Sequence, residues 1–93
     1  MKTIKDTLIE RGYPERQAQI TSANLSKLTG RFKNALDIWM ENGKETPMTI
    51  RDFSISDLMS RFKGMTYPAA LLTLEWLERD YSNAKLAIEK GIR

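Results

Sequence analysis

The chain has 93 residues, of which 15 are basic and 12 acidic, and it contains neither cysteine nor histidine. The length suits one small domain, and the missing cysteines exclude disulfides and thiolate metal sites. The missing histidines remove the commonest general base near neutral pH and the commonest metal ligand, so stability has to come from apolar packing, helix caps or a partner.

The formal net charge of +3 is spread over the whole chain. Residues 1–45 contain eight basic and six acidic side chains, and residues 46–93 contain seven and six. Tails dedicated to nucleic acid concentrate positive charge in one segment, and this chain does not. A weakly basic balance is therefore compatible with nucleic acid as a partner without requiring it.

Three helices are predicted in the first part of the chain. Residues 3–6 have the pattern of a capping box, which predicts a short first helix that stops at Gly12. Pro14 suits the first turn of a second helix, predicted to run through Leu28. The third helix is predicted to end at Gly43 in a left-handed cap. Its apolar stripe consists of Phe32, Ala35, Leu36, Trp39 and Met40.

A connector of residues 44–53 precedes a second group of helices. Within it, residues 48–50 have the pattern of a short extended segment. Ser54 is predicted to cap a fourth helix, Pro68 to start a fifth, and Ser82 to cap a sixth. The fifth is apolar nearly all round, which indicates a helix at the centre of the core or shared with a partner.

Two dipeptides that occur in both halves of the chain support this division. The dipeptides at 13–14 and 67–68 are both Tyr-Pro, and those at 34–35 and 83–84 are both Asn-Ala. A repeat of this kind favours two three-helix units; the alternative is that these pairs are ordinary helix starters. We predict an all-α fold, a compact bundle of five to six short helices. It forms a single domain, with sub-units 1–43 and 54–93 joined by 44–53.

Nothing in the sequence indicates catalysis. The glycines are scattered singly at helix ends, so no phosphate-cradling loop is present. Residues 60–63 and 82–85 match the Ser-x-x-Lys pattern of some acyl-transfer enzymes, but the companion motifs are missing. We therefore predict a protein that is not an enzyme and has no cofactor, metal site or small-molecule substrate.

The first half resembles a ubiquitin-associated-type three-helix module. The resemblance covers residues 4–43 and rests on Gly12-Tyr13-Pro14-Glu15, on Ala18 and on residues 35–40, Ala-Leu-Asp-Ile-Trp-Met. In that family, the loop after the first helix and the end of the third form a shallow apolar patch that binds a protein partner. The resemblance implies such a patch at Tyr13, Trp39 and Met40; the alternative is that the last two belong to the core.

The second half resembles a winged-helix or helix-turn-helix domain over residues 35–81. Residues 58–63 match the positioning helix, and residues 67–79 match the recognition helix. The resemblance implies a DNA-binding regulator, although the recognition helix offers few donors to base edges. The predicted nucleic-acid contacts are Lys27, Arg31, Lys33, Arg61, Lys63, Thr66 and Tyr67.

The leading hypothesis is a regulatory module that acts through protein–protein contacts or self-association, with DNA binding as the alternative. The helices carry more apolar surface than 93 residues easily bury, which adds Leu71, Leu74 and Trp76 to the predicted protein-binding residues. No stretch approaches the roughly 20 apolar residues that span a bilayer. Residues 1–16 also lack the apolar run of a signal peptide, so we predict a cytoplasmic protein with no membrane contact.

Overall fold

The chain divides into two compact units, Met1–Glu45 and Thr46–Arg93, called here the N-terminal and the C-terminal unit. A computed structural model describes residues 2–91. The predicted all-α class is confirmed, with one small hairpin added. Over the described residues, the elements are α1 (Ile4–Glu10), α2 (Glu15–Leu25), α3 (Gly30–Asn42), β1 (Thr49–Ile50), β2 (Phe53–Ser54), α4 (Ile55–Arg61), α5 (Tyr67–Arg79) and α6 (Tyr81–Lys90).

The capping box predicted for the first helix is confirmed. The hydroxyl of Thr3 accepts a hydrogen bond from the backbone N–H of Asp6 at 3.1 Å, and the Asp6 carboxylate accepts one from the backbone N–H of Thr3 at 3.4 Å. Two of the unpaired donors at the start of α1 are thereby satisfied. The helix then buries Leu8 completely and ends just before Gly12.

The second helix is shorter than predicted. It ends at Leu25 instead of continuing through Leu28, which is buried but lies outside the helix. The hydroxyls of Ser22 and Ser26 donate to the carbonyl oxygens of Gln19 and Ala23 at 3.0 and 2.7 Å. Hydroxyls that bind nearby carbonyls compete with helical hydrogen bonds, which explains the early end. A tighter turn then keeps the leucine on the buried face.

The third helix follows its predicted pattern. Phe32, Ala35, Leu36 and Trp39 are buried, and Met40 is half-buried. The predicted left-handed cap is present at Gly43, whose φ is +72° and whose N–H donates to the carbonyl oxygen of Trp39 at 2.7 Å. This cap ends α3 at the residue that the sequence indicated.

The C-terminal unit opens with an antiparallel hairpin in the segment that was predicted as a connector. Ile50 pairs with Phe53 across a two-residue turn. The extended segment expected at residues 48–50 is therefore confirmed at Thr49–Ile50. Ser54 caps α4 as predicted, its hydroxyl accepting from the backbone N–H of Asp57 at 3.0 Å.

Helix α5 forms the buried centre of the C-terminal unit. Seven of its 13 residues are buried, and Glu78 and Arg79 are its exposed residues. The hydroxyl of Thr66 accepts from the backbone N–H of Ala69 at its start, with Pro68 in the first turn as predicted. None of the helices described between residues 2 and 91 is long and apolar enough to cross a membrane.

Helix α6 starts earlier than predicted. The prediction that Ser82 caps it is wrong, because the cap is Asp80 and the helix begins at Tyr81. Asp80, with φ −151° and ψ 75°, ends α5 and begins α6 at once. The one-residue junction turns the chain sharply, so Tyr81 follows directly on the end of α5.

Candidate functional site

The most distinctive surface feature lies in the C-terminal unit, where three cations surround two aromatic rings. The guanidinium of Arg51 lies over the Tyr81 ring, 4.3 Å from its centroid, and the Lys85 ammonium lies 5.9 Å from the same centroid. The guanidinium of Arg61 lies 6.0 Å from the centroid of Phe53, and the two ring centroids are 6.3 Å apart with a 56° tilt. We call these five residues the cation–aromatic cluster.

Local chain geometry brings the cluster together. Arg51 and Asp52 form the two-residue turn of the hairpin, which projects Arg51 from its tip. Tyr81 is the first residue of α6, and Lys85 follows four positions later on the same helix face. Arg61 is the last residue of α4, which continues directly from β2. The cluster therefore depends on the hairpin and on the ends of two helices.

The backbone at Arg51 is strained. Its φ of +52° makes it the one non-glycine residue with a positive φ among residues 2–91. A left-handed conformation costs a side-chain-bearing residue about 1–2 kcal/mol. Strained residues of this kind cluster at functional sites, and the observed outlier motivates a functional hypothesis. Here the strained residue is the one whose guanidinium lies over the Tyr81 ring.

The cations of the cluster keep their charge available. Within the described part of the chain, Arg51, Arg61 and Lys85 form no ion pair. The nearest acidic member of the hairpin, Asp52, accepts a long hydrogen bond of 3.4 Å from the Tyr81 hydroxyl. The three cations and the Asp52 carboxylate together carry a net charge of +2. An aromatic face attracts a cation without neutralising it, so the cluster remains electrostatically open to an anion.

In the N-terminal unit, Arg11 donates hydrogen bonds in addition to lying over an aromatic ring. One Arg11 nitrogen donates to the carbonyl oxygens of Trp39 and Met40, both at 3.0 Å, and the guanidinium lies 5.1 Å from the centroid of the Trp39 ring. The carbonyl groups of a final helical turn have no helical partner. Arg11 therefore ties the end of α1 to the end of α3. A pocket of about 260 Å³ beside it is lined by Lys2, Thr7, Glu10, Arg11 and Met40.

Three of the five lysines of the N-terminal unit lie beside carboxylates. Lys2 pairs with Glu10 at 2.8 Å. Lys5 lies 3.9 Å from Glu15, and Lys33 lies 3.5 Å from Asp37. All three pairs are exposed, so each contributes at most about 1 kcal/mol to stability. Their main physical consequence is local: each positive charge has an opposite charge close by.

The residues predicted for protein binding are placed in different environments. In the N-terminal unit, Trp39 is buried, and Tyr13 and Met40 are half-buried. In the C-terminal unit, Leu71 and Leu74 have no exposed surface and Trp76 is half-buried. The two leucines are therefore core residues of the folded chain and, in this conformation, offer no surface to a partner.

The nucleic-acid residues predicted in the N-terminal unit lie near one another in sequence but differ in their contacts. Lys27 is exposed in the turn after α2. The guanidinium of Arg31 lies 5.3 Å from the centroid of the Phe32 ring. Lys33 is paired with Asp37. The structure thus leaves this group with partly compensated charge.

The nucleic-acid residues predicted in the C-terminal unit divide into two kinds. Arg61 belongs to the cation–aromatic cluster, and Lys63 is exposed in the turn between α4 and α5. Thr66 caps α5. The ring of Tyr67 is buried, with its hydroxyl donating to the carbonyl oxygen of Thr46 at 3.1 Å and accepting from the N–H of that residue at 3.2 Å. Tyr67 is thus a core residue that cannot reach a base edge.

Sequence reasoning found one member of the cluster and missed four. The missed residues are Arg51, Phe53, Tyr81 and Lys85. Two short apolar-containing runs separated by two residues are the signal of a hairpin. The spacing of four between an aromatic and a lysine was also visible in the last helix. Neither signal shows that the hairpin tip meets the start of α6.

No family model, curated protein or solved structure matches this chain. Within residues 2–91, no group of three or more potential ligands is placed to hold a metal ion. The function has to be inferred from the chemistry of the surface itself. The cation–aromatic cluster is the constellation in which several independent contacts converge.

Proposed function

We propose that the protein is a non-catalytic nucleic-acid-binding module whose C-terminal unit contacts the phosphate backbone. The observation that carries the proposal is the cation–aromatic cluster, in which three cations lie 4.3–6.0 Å from aromatic centroids. Cations that lack carboxylate partners can neutralise phosphates and release the counterions condensed on the nucleic acid. A guanidinium held over an aromatic ring adds a surface on which an unpaired base can stack.

The proposal assigns the contact to a different element from the one the helix-turn-helix resemblance implies. That resemblance makes α5 the reading helix, but α5 is largely buried and its exposed residues are Glu78 and Arg79. The Arg79 guanidinium donates to Glu75 at 3.3 Å, which compensates its charge. A buried helix does not enter a major groove. We therefore expect backbone contacts with little sequence preference.

A protein partner or self-association remains the second candidate. Its support is the contact of Arg11 with Trp39 and Met40, which brings together the ends of α1 and α3. In the ubiquitin-associated resemblance, the binding patch lies between the loop after the first helix and the end of the third. Ile38, which is 37% exposed on α3, adds apolar surface in this part of the chain.

The test is the fluorescence anisotropy of a labelled oligonucleotide of about 20 nucleotides, longer than most single-module sites. Titrations at salt concentrations between about 50 and 200 mM should give an affinity that falls steeply, because each neutralised phosphate contributes about 0.7–0.9 to the log–log slope. Replacing Arg51, Arg61 and Lys85 by alanine should weaken binding and flatten that slope by about 2–3.

The matched control replaces Lys2, Lys5 and Lys33 by alanine. It removes the same formal charge from carboxylate-paired positions of the N-terminal unit, so binding should change much less. Equal effects of the two triple variants would mean that net charge alone drives binding. Absence of binding at low salt, together with a dimer in sedimentation of the protein alone, would replace the proposal by the second candidate.

A further inference from the structure

We infer that the cation–aromatic cluster selects single-stranded nucleic acid by stacking a base on the Arg51 guanidinium. In this arrangement the Tyr81 ring supports the guanidinium from behind. The inference rests on the proposed function and goes further, because it names the class of nucleic acid and the contact that recognises it. In this assignment Arg51 on the Tyr81 ring is the stacking platform, and Arg61 and Lys85 contact phosphates.

The position of Arg51 is the first argument. Its guanidinium lies over the Tyr81 ring at 4.3 Å from the centroid, which is the distance of direct contact, and the residue is exposed. The guanidinium is therefore in contact with the ring while the residue as a whole is open to solvent. Guanidinium planes and aromatic rings are the two surfaces on which proteins stack unpaired bases.

The rigidity of the platform is the second argument. The Tyr81 hydroxyl donates to Asp52, and the ring centroid lies 6.3 Å from that of Phe53, whose own ring is buried. The positive φ of Arg51 fixes the direction in which its side chain leaves the hairpin. A platform whose parts are already ordered loses little conformational entropy when a base binds, which favours affinity.

The arrangement of charge around the platform is the third argument. Arg61 is the last residue of α4, 6.0 Å from the Phe53 centroid, and Lys85 lies one turn into α6, 5.9 Å from the Tyr81 centroid. Sites for single strands combine a stacking surface with nearby cations that contact the backbone phosphates. Duplex DNA keeps its bases stacked on each other, so it offers phosphates to these cations but no base face to Arg51.

The experiment compares three probes of equal length: oligothymidylate, the same backbone with abasic sites, and a duplex. We expect the wild-type protein to bind oligothymidylate about tenfold or more tightly than the abasic strand, the range of a single stacked base. Arg51→Lys keeps the charge and the strained backbone position but removes the planar group. This variant should lose most of its preference for thymidylate over the abasic strand.

Arg16→Lys is the matched control, because it makes the same replacement at an exposed arginine of the N-terminal unit, outside the cluster. It should retain the preference for thymidylate. Equal binding of the abasic strand and of thymidylate by the wild type would overturn the inference while leaving phosphate binding intact. Wild-type behaviour of Arg51→Lys would also overturn it. Failure to bind all three probes at low salt would instead overturn the proposed function, so the two failures are distinguishable.

Discussion

The two units have almost the same balance of charge, but several of their cations have different neighbours. In the N-terminal unit, Lys2, Lys5 and Lys33 each lie beside a carboxylate. In the C-terminal unit, the three cations of the cluster lie beside aromatic rings instead. Net charge per segment therefore says little about which surface attracts an anion. The identity of each cation's neighbour decides it.

Arg11 and Arg51 make the same comparison at the level of single residues. Both guanidinium groups lie over an aromatic ring, at 5.1 and 4.3 Å from the centroid. Arg11 also donates to two carbonyl oxygens at the end of α3, so its polarity is used within the fold. Arg51 lies over the Tyr81 ring at a strained position of the hairpin. The first arginine has the contacts of a structural residue, and we propose that the second is a binding residue.

The largest expected effect tests whether α5 is core in the C-terminal unit. Leu74 has no exposed surface, so Leu74→Ala should lower the free energy of unfolding by about 2–5 kcal/mol through lost burial and a cavity. Leu86→Ala is the matched control on α6, because that leucine is 49% exposed and the change should be within about 0.5 kcal/mol. Urea denaturation followed by far-UV circular dichroism measures both. A similarly small change in the free energy of unfolding for both variants would mean that Leu74 is a surface residue.

A smaller effect should separate the two arginines. Arg11→Ala removes two charge-assisted hydrogen bonds and a cation–π contact, and should cost about 1–2 kcal/mol of stability without changing oligonucleotide affinity. Arg51→Gly removes one cation–π contact but relieves the positive φ, so two terms of about 1 kcal/mol oppose each other and stability should barely change. Oligonucleotide affinity should nevertheless fall.

Thermal denaturation and anisotropy titration on the same preparations measure the two properties. Gly43→Ala gives an independent check on the N-terminal contact. A Cβ there would lie 2.8 Å from an Arg11 nitrogen, at a φ of +72°. It should therefore destabilise the protein in the same direction as Arg11→Ala. A loss of affinity in Arg11→Ala as large as in Arg51→Gly would erase the distinction between the two units.

Features set by neighbouring residues were predictable from the sequence. The capping box at Thr3, the hydroxyl cap at Ser54 and the glycine cap at Gly43 each depend on chemistry within four residues, and all three are confirmed. The errors arose where two local solutions compete. Leu28 keeps its buried position in a turn as well as in a helix, and Asp80 serves two helices at once.

The candidate site was much less predictable, because it depends on contacts between distant residues. Arg61 stood out as a cation, but its position beside Phe53 requires that the hairpin fold back as it does. Arg51 and Tyr81 are 30 positions apart and meet through the packing of the hairpin on the end of α6. Apolar periodicity identified α5 as unusual and left open whether it was core or interface. Its burial supports the core interpretation.

The smallest expected effect compares ion pairs of the two units. Lys33–Asp37 and Glu75–Arg79 are both spaced i,i+4, but only the second has the acidic residue first, the orientation that the helix dipole favours. Glu75 is also the less exposed partner and accepts two guanidinium hydrogen bonds, at 3.3 and 3.5 Å. Double-mutant cycles should give a coupling of about 0.5 kcal/mol for Glu75–Arg79 and about 0.2 kcal/mol or less for Lys33–Asp37. Urea midpoints at low and high salt measure both.

A weak coupling at Lys33–Asp37 would mean that this pair neutralises charge while adding almost nothing to stability. That is the role we expect for the lysine–carboxylate pairs of the N-terminal unit. A coupling there as large as in the C-terminal unit would show that the pair is retained for stability, and the contrast in charge would lose its functional meaning.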